Sequence, residues 1–301
     1  TGLLIKRSCI DYSTSCMDTH ASTWQCGKHI VSLDTPIIVG ILNVTPDSFS
    51  DGGKFSGLND AIGRALEMES EGAAIIDVGG ESTRPGATRV SIQEQLHRVL
   101  PVIEGIENRS NVLISIDTTM SQVAAAAIDA GASIINDVSA GQEDDAMFSV
   151  AGETGAGLVL MHRRLPPELD RYSDGYDEDP ESEDIVCDVI EGLLARVRVA
   201  IAQGVQKNTV AIDPGLGFGK SVAQNWHIIK QTDRITALGY PVFIGASRKS
   251  FIGATFGIED PSMRDGPSVE VAKEASELGA HIFRVHNVLD HVRVLQSQSH
   301  S

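Results

Sequence analysis

The chain has 301 residues, with 41 Asp and Glu against 24 Lys and Arg and a formal charge of −17. That is enough for one large domain or two ordinary ones, and 42% apolar with 22% charged residues is an ordinary soluble composition. The acidity argues against nucleic acid or an anionic membrane surface as a partner, because both call for a basic footprint. No run of 18 apolar residues marks a membrane span, and no secretory pattern is read at the N-terminus. Cys9, Cys16, Cys26 and Cys187 show neither CxxC spacing nor histidines at zinc-ligand intervals. Free thiols in a cytoplasmic protein are expected.

Residues 1–22 carry no sustained period and read as a poorly ordered lead-in, with residues 23–301 as one domain. From Trp24 to Leu33 a short strand pair turning at Cys26-Gly27-Lys28 is expected, placed to plug the bottom of a barrel. Apolar, strand-like runs then follow at Ile37–Leu42, Ala74–Val78, Val112–Ile116, Ser133–Ile135, Gly157–Met161, Thr209–Ile212, Pro241–Ile244 and Ala280–Val285. Between them lie helical patterns at Leu58–Glu71, Ile92–Glu107, Gln122–Ala130, Asp145–Thr154, Asp184–Gln203, Val222–Thr232, Ser268–Leu278 and Val288–Leu295. Strict alternation of this kind calls for parallel strands with crossover helices. Eight such pairs, over a span from Pro36 onward close to the roughly 250 residues typical of the fold, predict a closed (β/α)8 TIM barrel. An open doubly wound sheet would usually carry a glycine-rich phosphate fingerprint after its first strand, and none is present.

Two loops stand out. The first strand delivers Asn43 into Thr45–Gly53, a run of Thr, Pro, Asp, Ser and Gly too rich in turn formers for regular structure. The second, Glu81-Ser-Thr-Arg-Pro-Gly86, follows the second barrel strand. A third, long and acidic segment from Arg163 to Glu183 follows the fifth.

In a barrel of this type the active site gathers at the C-terminal ends of the strands. There the sequence places Asn43, Gly79 to Gly86, Asp117, Asn136 and Asp137, His162, Asp213, Ser247-Arg248-Lys249, and Arg284 with His286. Asp117 taken alone is equally compatible with a helix cap before Thr118-Thr119, and Ser247–Lys249 with a solvated helix start. Taken together they form a ring of side chains able to hydrogen-bond or carry charge, which a purely structural barrel does not need. Asp117, Asn136, Asp213 and Lys249 are a mixed donor and acceptor set suited to the edges of a flat heterocycle. Arg84, Arg248, Arg284 and His286 suit a phosphate or carboxylate, and Asn43 near Asp47 and Asp51 suits a hard cation such as Mg²⁺. No Ser/His/Asp or Cys/His set stands out. The chemistry read from these types is positioning and charge stabilisation.

These segments resemble the dihydropteroate synthase family. The likeness runs over Trp24 to Leu295 through Gly40–Gly53, Asp77–Gly86, Ser115-Ile-Asp-Thr118, Ile135-Asn-Asp137, the Asp213–Lys220 turn, Ser247-Arg-Lys-Ser250 and Arg284-Val-His286. It implies condensation of 6-hydroxymethyl-7,8-dihydropterin diphosphate with 4-aminobenzoate to 7,8-dihydropteroate and diphosphate. It further implies Thr83, Asp117, Asn136, Asp213, Lys249, Arg284 and His286 at the pterin diphosphate, and Thr83, Arg84, Pro85, Phe218, Lys220 and Ser247 at the aminobenzoate. Asn43 would hold Mg²⁺, the catalytic burden would fall on Arg84, Lys249, Arg284 and His286, and two copies would pair through C-terminal helices as a homodimer. The chain departs from the family pattern at Arg163-Arg-Leu-Pro-Pro167 after His162, and at Asn287, where Asp is usual. A methyltetrahydrofolate-dependent methyltransferase would share the pterin contacts but needs neither the two loops nor Ser247–Lys249. A non-catalytic paralogue should have lost loop or basic residues that are present here.

Overall fold

The apolar runs form strands because each is short, rich in Ile and Val and bounded by glycine or polar turn residues. The computed structural model describes residues 21–44 and 54–296; the loop at Thr45–Gly53, with Asp47 and Asp51, and the lead-in before Ala21 lie outside them. An antiparallel hairpin comes first, β1 (Thr23–Cys26) and β2 (His29–Ser32). The barrel strands are β3 (Ile37–Asn43), β4 (Ile75–Gly79), β5 (Leu113–Asp117), β6 (Ile134–Asp137), β7 (Gly157–Met161), β8 (Val210–Asp213), β9 (Phe243–Ile244) and β10 (Ile282–Val285). All are parallel, in the order β8-β7-β6-β5-β4-β3-β10-β9. A parallel bridge between Ile212 and Val242 joins the two ends and closes the barrel.

Helices alternate with the strands: α1 (Lys54–Ser70), α2 (Ile92–Glu107), α3 (Ser121–Asp129), α4 (Met147–Thr154), α5 (Ile185–Ala202), α6 (Val222–Lys230), α7 (Thr232–Thr236), α8 (Ser250–Phe256), α9 (Asp265–Glu277) and α10 (Val288–Leu295). Their starts are set by local chemistry. Ser91 and Asp184 cap α2 and α5, and Ser221 with Gln224 forms a reciprocal capping box on α6. Asn287, the departure from the family pattern, caps α10 by accepting from the Asp290 amide, so the amide side chain does the work of the usual carboxylate. Met120, which supplies no side-chain bond, stands at the cap of α3, so Asp117 is released for another task. Two helices went unpredicted. α7 continues the α6 pattern after a break at Gln231, and α8 is a seven-residue turn whose Gly253 hides its period.

Two large apolar clusters fill the structure, beside a small third of Val138, Met161 and Phe218. The larger packs the outer faces of the strands against the helices. The smaller lies inside the barrel, where Val39, Ile75, Ile134, Val159, Ala211, Phe243 and Ile282 meet Trp24, Cys26 and Val31 of the hairpin. The hairpin is therefore a plug in the barrel's lower end, as expected. Trp24 is fully buried there and donates from Nε1 to the Thr209 carbonyl at 2.7 Å, which satisfies the polar edge that burial would otherwise strand. Cys26 is a free, buried thiol whose pKa burial raises.

Candidate active site

Register decides which polar residues meet. Asn43 pairs with Gly79, Gly79 with Asp117, and Asp117 with Asn136, so four consecutive strands end in one layer at the barrel mouth. Gly79 leaves that layer open, since a Cβ there would stand 3.5 Å from the Asp117 Cβ and 3.8 Å from the Asn43 Oδ1. Above this floor is a cavity of about 620 Å³. Of the residues singled out from sequence, Asn43, Thr83, Arg84, Pro85, Asp117, Phe218, Ser247, Arg248, Lys249, Arg284 and His286 line it. Asn136 and Asp213 lie buried at the strand ends beside it, 2% and 5% exposed.

The electrostatic centre is Arg284. Its Nε donates to Asp77 at 2.5 Å and its Nη2 to Asp117 at 2.7 Å. The same Asp77 oxygen accepts from Asn136 at 3.1 Å. Oδ1 of Asp77 and Oδ1 of Asp117 are buried with no hydrogen-bond partner among the described residues. Such acceptors call for donors from a bound molecule. Burial pushes the Asp117 carboxyl up to about 7, with Arg284 pulling it down and Asp77 pushing it further up. Asp213 is likewise raised by burial, to about 6, although it accepts from the Gly215 amide at 2.7 Å.

Lys249 faces this group. Its Nζ stands 4.0 Å over the ring of Phe218, and burial, helped by the nearby Arg284 charge, lowers its pKa to about 8. His286 is pulled down to about 3 by burial and by Arg248 and Arg284, so the imidazole is neutral. Ser247 Oγ accepts from the His286 backbone amide at 3.2 Å and meets His286 Nδ1 at 2.9 Å. The assignment that satisfies both contacts has Ser247 donating to Nδ1, which leaves the ring proton on Nε2 as a neutral donor.

Two predicted contributors, Lys220 and Asp137, are placed elsewhere, and Arg248 lines the cavity with its guanidinium already paired. Lys220 is fully buried beneath the glycine-rich turn, donating to the carbonyls of His162, Gly215 and Phe218 at 3.2, 2.8 and 2.9 Å, and burial lowers its pKa to about 7. It braces the turn from below, while Phe218 takes the cavity side. Gly215, at φ +68°, is required there, because a Cβ would come within 1.9 Å of the His162 carbonyl oxygen. Arg248 is committed to a two-point ion pair with Asp265 at 2.6 and 2.8 Å. Asp137 is structural: its oxygens accept from the Ser139 amide and hydroxyl and from the Gly141 amide.

The residue that sequence reasoning missed is Asp77. It sits in mid-strand between Ile76 and Val78, and the signal was a carboxylate inside an otherwise apolar buried run, which demands a cationic partner. Tyr172 and Asp174, from the segment after β7, also line the cavity and carried no motif.

The profile of the pterin binding enzyme family matches residues 39–286. The chain belongs to that family. Within it the relatives include dihydropteroate synthases: that of Streptococcus pyogenes serotype M3 is 44% identical over 263 residues, covering 87% of this chain and 94% of the relative. The Mycobacterium leprae enzyme of the same name is 41% identical over 271 residues, covering 88% and 93%. Among solved structures, Xanthomonas albilineans dihydropteroate synthase with 4-aminobenzoic acid superposes with a TM-score of 0.83 at 38% identity, covering 92% of this chain and 97% of that one. The same enzyme in complex with 7,8-dihydropteroate gives 0.81 at 36%, with the same coverage.

Proposed function

We propose that this chain joins 6-hydroxymethyl-7,8-dihydropterin diphosphate to 4-aminobenzoate, forming 7,8-dihydropteroate and diphosphate for folate biosynthesis. The observation that carries the reading is the Arg284 guanidinium held between Asp77 and Asp117, in one cavity with Lys249, the Ser247–His286 pair and the Thr83–Pro85 loop. A pterin edge offers N–H donors to carboxylates and acceptors to an ammonium, so Asp117, Asn136, Asp213 and Lys249 hold the ring. Arg284 and His286 receive the diphosphate, and Thr83, Arg84, Pro85, Phe218 and Ser247 surround the aminobenzoate. Lys220 acts on the aminobenzoate through the turn that carries Phe218.

An arylamine is neutral near pH 7 and its nitrogen needs no strong base before attack. Departure of the diphosphate is the harder step. Arg284, and the neutral Nε2–H of His286, stabilise the charge that builds on the leaving oxygen, while the Thr83–Pro85 loop that lines the cavity keeps water from the electrophilic carbon.

Mg²⁺ fits the residues present. Asn43 brings a hard oxygen to the layer that holds Asp117, and a single protein oxygen completed by substrate phosphates and water is characteristic of that ion. When bound, it would neutralise charge on the diphosphate. We further read residues 23–301 as one catalytic domain, preceded by a lead-in over 1–22, in a cytoplasmic homodimer. Val288 and Leu295 of α10 are buried within the chain itself, so pairing would use that helix's remaining face. Light scattering on the purified protein tests it.

The direct test supplies pterin diphosphate, Mg²⁺ and 4-aminobenzoate, and follows diphosphate release and the mass of the conjugate. Conjugate formed in step with diphosphate, lost on chelation and restored by Mg²⁺, is the expected result. Pterin binding with neither product would return the chain to the non-catalytic reading.

A further inference from the structure

The segment between β7 and α5, residues 162–184, departs from the family pattern in sequence, and it does not hang free. At one end Pro167 accepts from the Gly86 amide at 3.0 Å, and Glu168 pairs with Arg89, so the segment grips the loop that carries Thr83, Arg84 and Pro85. In its middle Asp170, 9% exposed, accepts from the Gly219 amide at 2.8 Å and from the Tyr176 hydroxyl at 2.9 Å, which grips the turn carrying Phe218. Further on, the Ser173 amide donates to Ser250 Oγ at 3.0 Å and Ser173 Oγ accepts from Asn225 at 3.1 Å, which ties the segment to α8 and α6. It thus bridges two walls of the cavity, and between those anchors Tyr172 and Asp174 form part of the lining. Tyr172 is 49% exposed, so its place on the cavity is not a matter of core packing.

We propose that this segment is a strap that closes the outer end of the amine site, and that Tyr172 and Asp174 select the acceptor by length and charge. The inference rests on the reaction proposed above. The acceptor's amine must meet the pterin methylene, whose ring is held deep against Asp117, so the carboxylate end of the acceptor points toward the mouth. There the Tyr172 ring limits how far a substituent extends, and the Asp174 carboxylate opposes an anionic group carried further out. A compact arylamine carboxylate is accepted. An acceptor whose carboxylate sits one amide linkage further away is rejected.

The test compares kcat/KM for 4-aminobenzoate and for 4-aminohippurate, which carries that longer anionic arm, in the wild-type full chain and in Tyr172→Ala, Tyr172→Phe and Asp174→Asn. The ratio is expected to shift toward 4-aminohippurate by about 5-fold or more in Tyr172→Ala and in Asp174→Asn. In Tyr172→Phe, which keeps the ring, the wild-type ratio is retained, and KM for pterin diphosphate is unchanged in all three. An active wild type whose ratio is unmoved in both Tyr172→Ala and Asp174→Asn overturns the proposal and leaves the reaction standing. A wild type that makes no conjugate with 4-aminobenzoate overturns both.

Discussion

Replacing Arg284 with Met keeps most of the side-chain volume and removes the charge that serves Asp77 and Asp117. Arg284 donates to them at 2.5 and 2.7 Å, and their side chains are 1% and 6% exposed. Deleting one partner of a buried ion pair typically costs about 3 to 5 kcal/mol, because the remaining charge is left without a counter-ion. Arg284 itself is 20% exposed toward the cavity, where water can enter, so the lower figure, about 3 kcal/mol at pH 8, applies. The loss is pH-dependent with a definite sign. The Asp117 carboxyl stands at about 7 in the folded protein, above its ordinary value, so the folded state takes up its proton as pH falls through that value. Without the guanidinium it titrates higher still. The gap between Arg284→Met and the parent should therefore shrink by about half at pH 5.5, where Asp117 is protonated in both, and widen as pH rises past 7. Urea unfolding followed by circular dichroism at pH 5.5 and 8 measures this. A loss below about 1 kcal/mol at pH 8, or one independent of pH, would refute the assignment of Arg284 as the counter-ion of a buried carboxylate pair.

Lys249→Ala should weaken pterin diphosphate binding by about 1 to 3 kcal/mol, the usual worth of a charge-assisted bond, and calorimetry that finds unchanged affinity removes Lys249 from the pocket. Arg84 is exposed on its loop, so Arg84→Ala should lower turnover far more than pterin affinity; equal loss of both in steady-state and binding assays would make the loop part of the ground-state pocket. Asp213, raised to about 6 by burial, is the stronger, charge-assisted acceptor for the pterin when ionised. Pterin diphosphate affinity should therefore fall roughly tenfold between pH 7 and pH 5, and Asp213→Asn should flatten the portion of that profile below pH 6; an unchanged profile in the variant would assign the dependence to another group.

The barrel was legible because its signals are local. Alternating apolar runs and amphipathic stretches specify parallel strands and covering helices within windows of a dozen residues, and the strand limits agree with those runs to within a residue or two from β3 to β8. The ring of polar strand ends was legible for the same reason, since a charged or amide side chain at the end of an apolar strand is visible in the chain itself. Less legible were α7 and α8, short turns without a full period, and the strap, whose hydrogen bonds join residues with no shared motif.

Composition and local pattern by themselves determined the class of fold, the plug at its base and the positions from which a site would be drawn. Only the tertiary structure decided which of those positions act together. Arg284 and Asp77 are 207 residues apart in the chain, yet the closing of the barrel brings them into contact. The same folding buries Lys220 against three carbonyls, turns Arg248 toward Asp265 and brings Tyr172 to the cavity. The physical reason is that desolvation and pairing depend on which side chains enclose a group, and in a closed barrel those enclosures are made by strands distant in sequence.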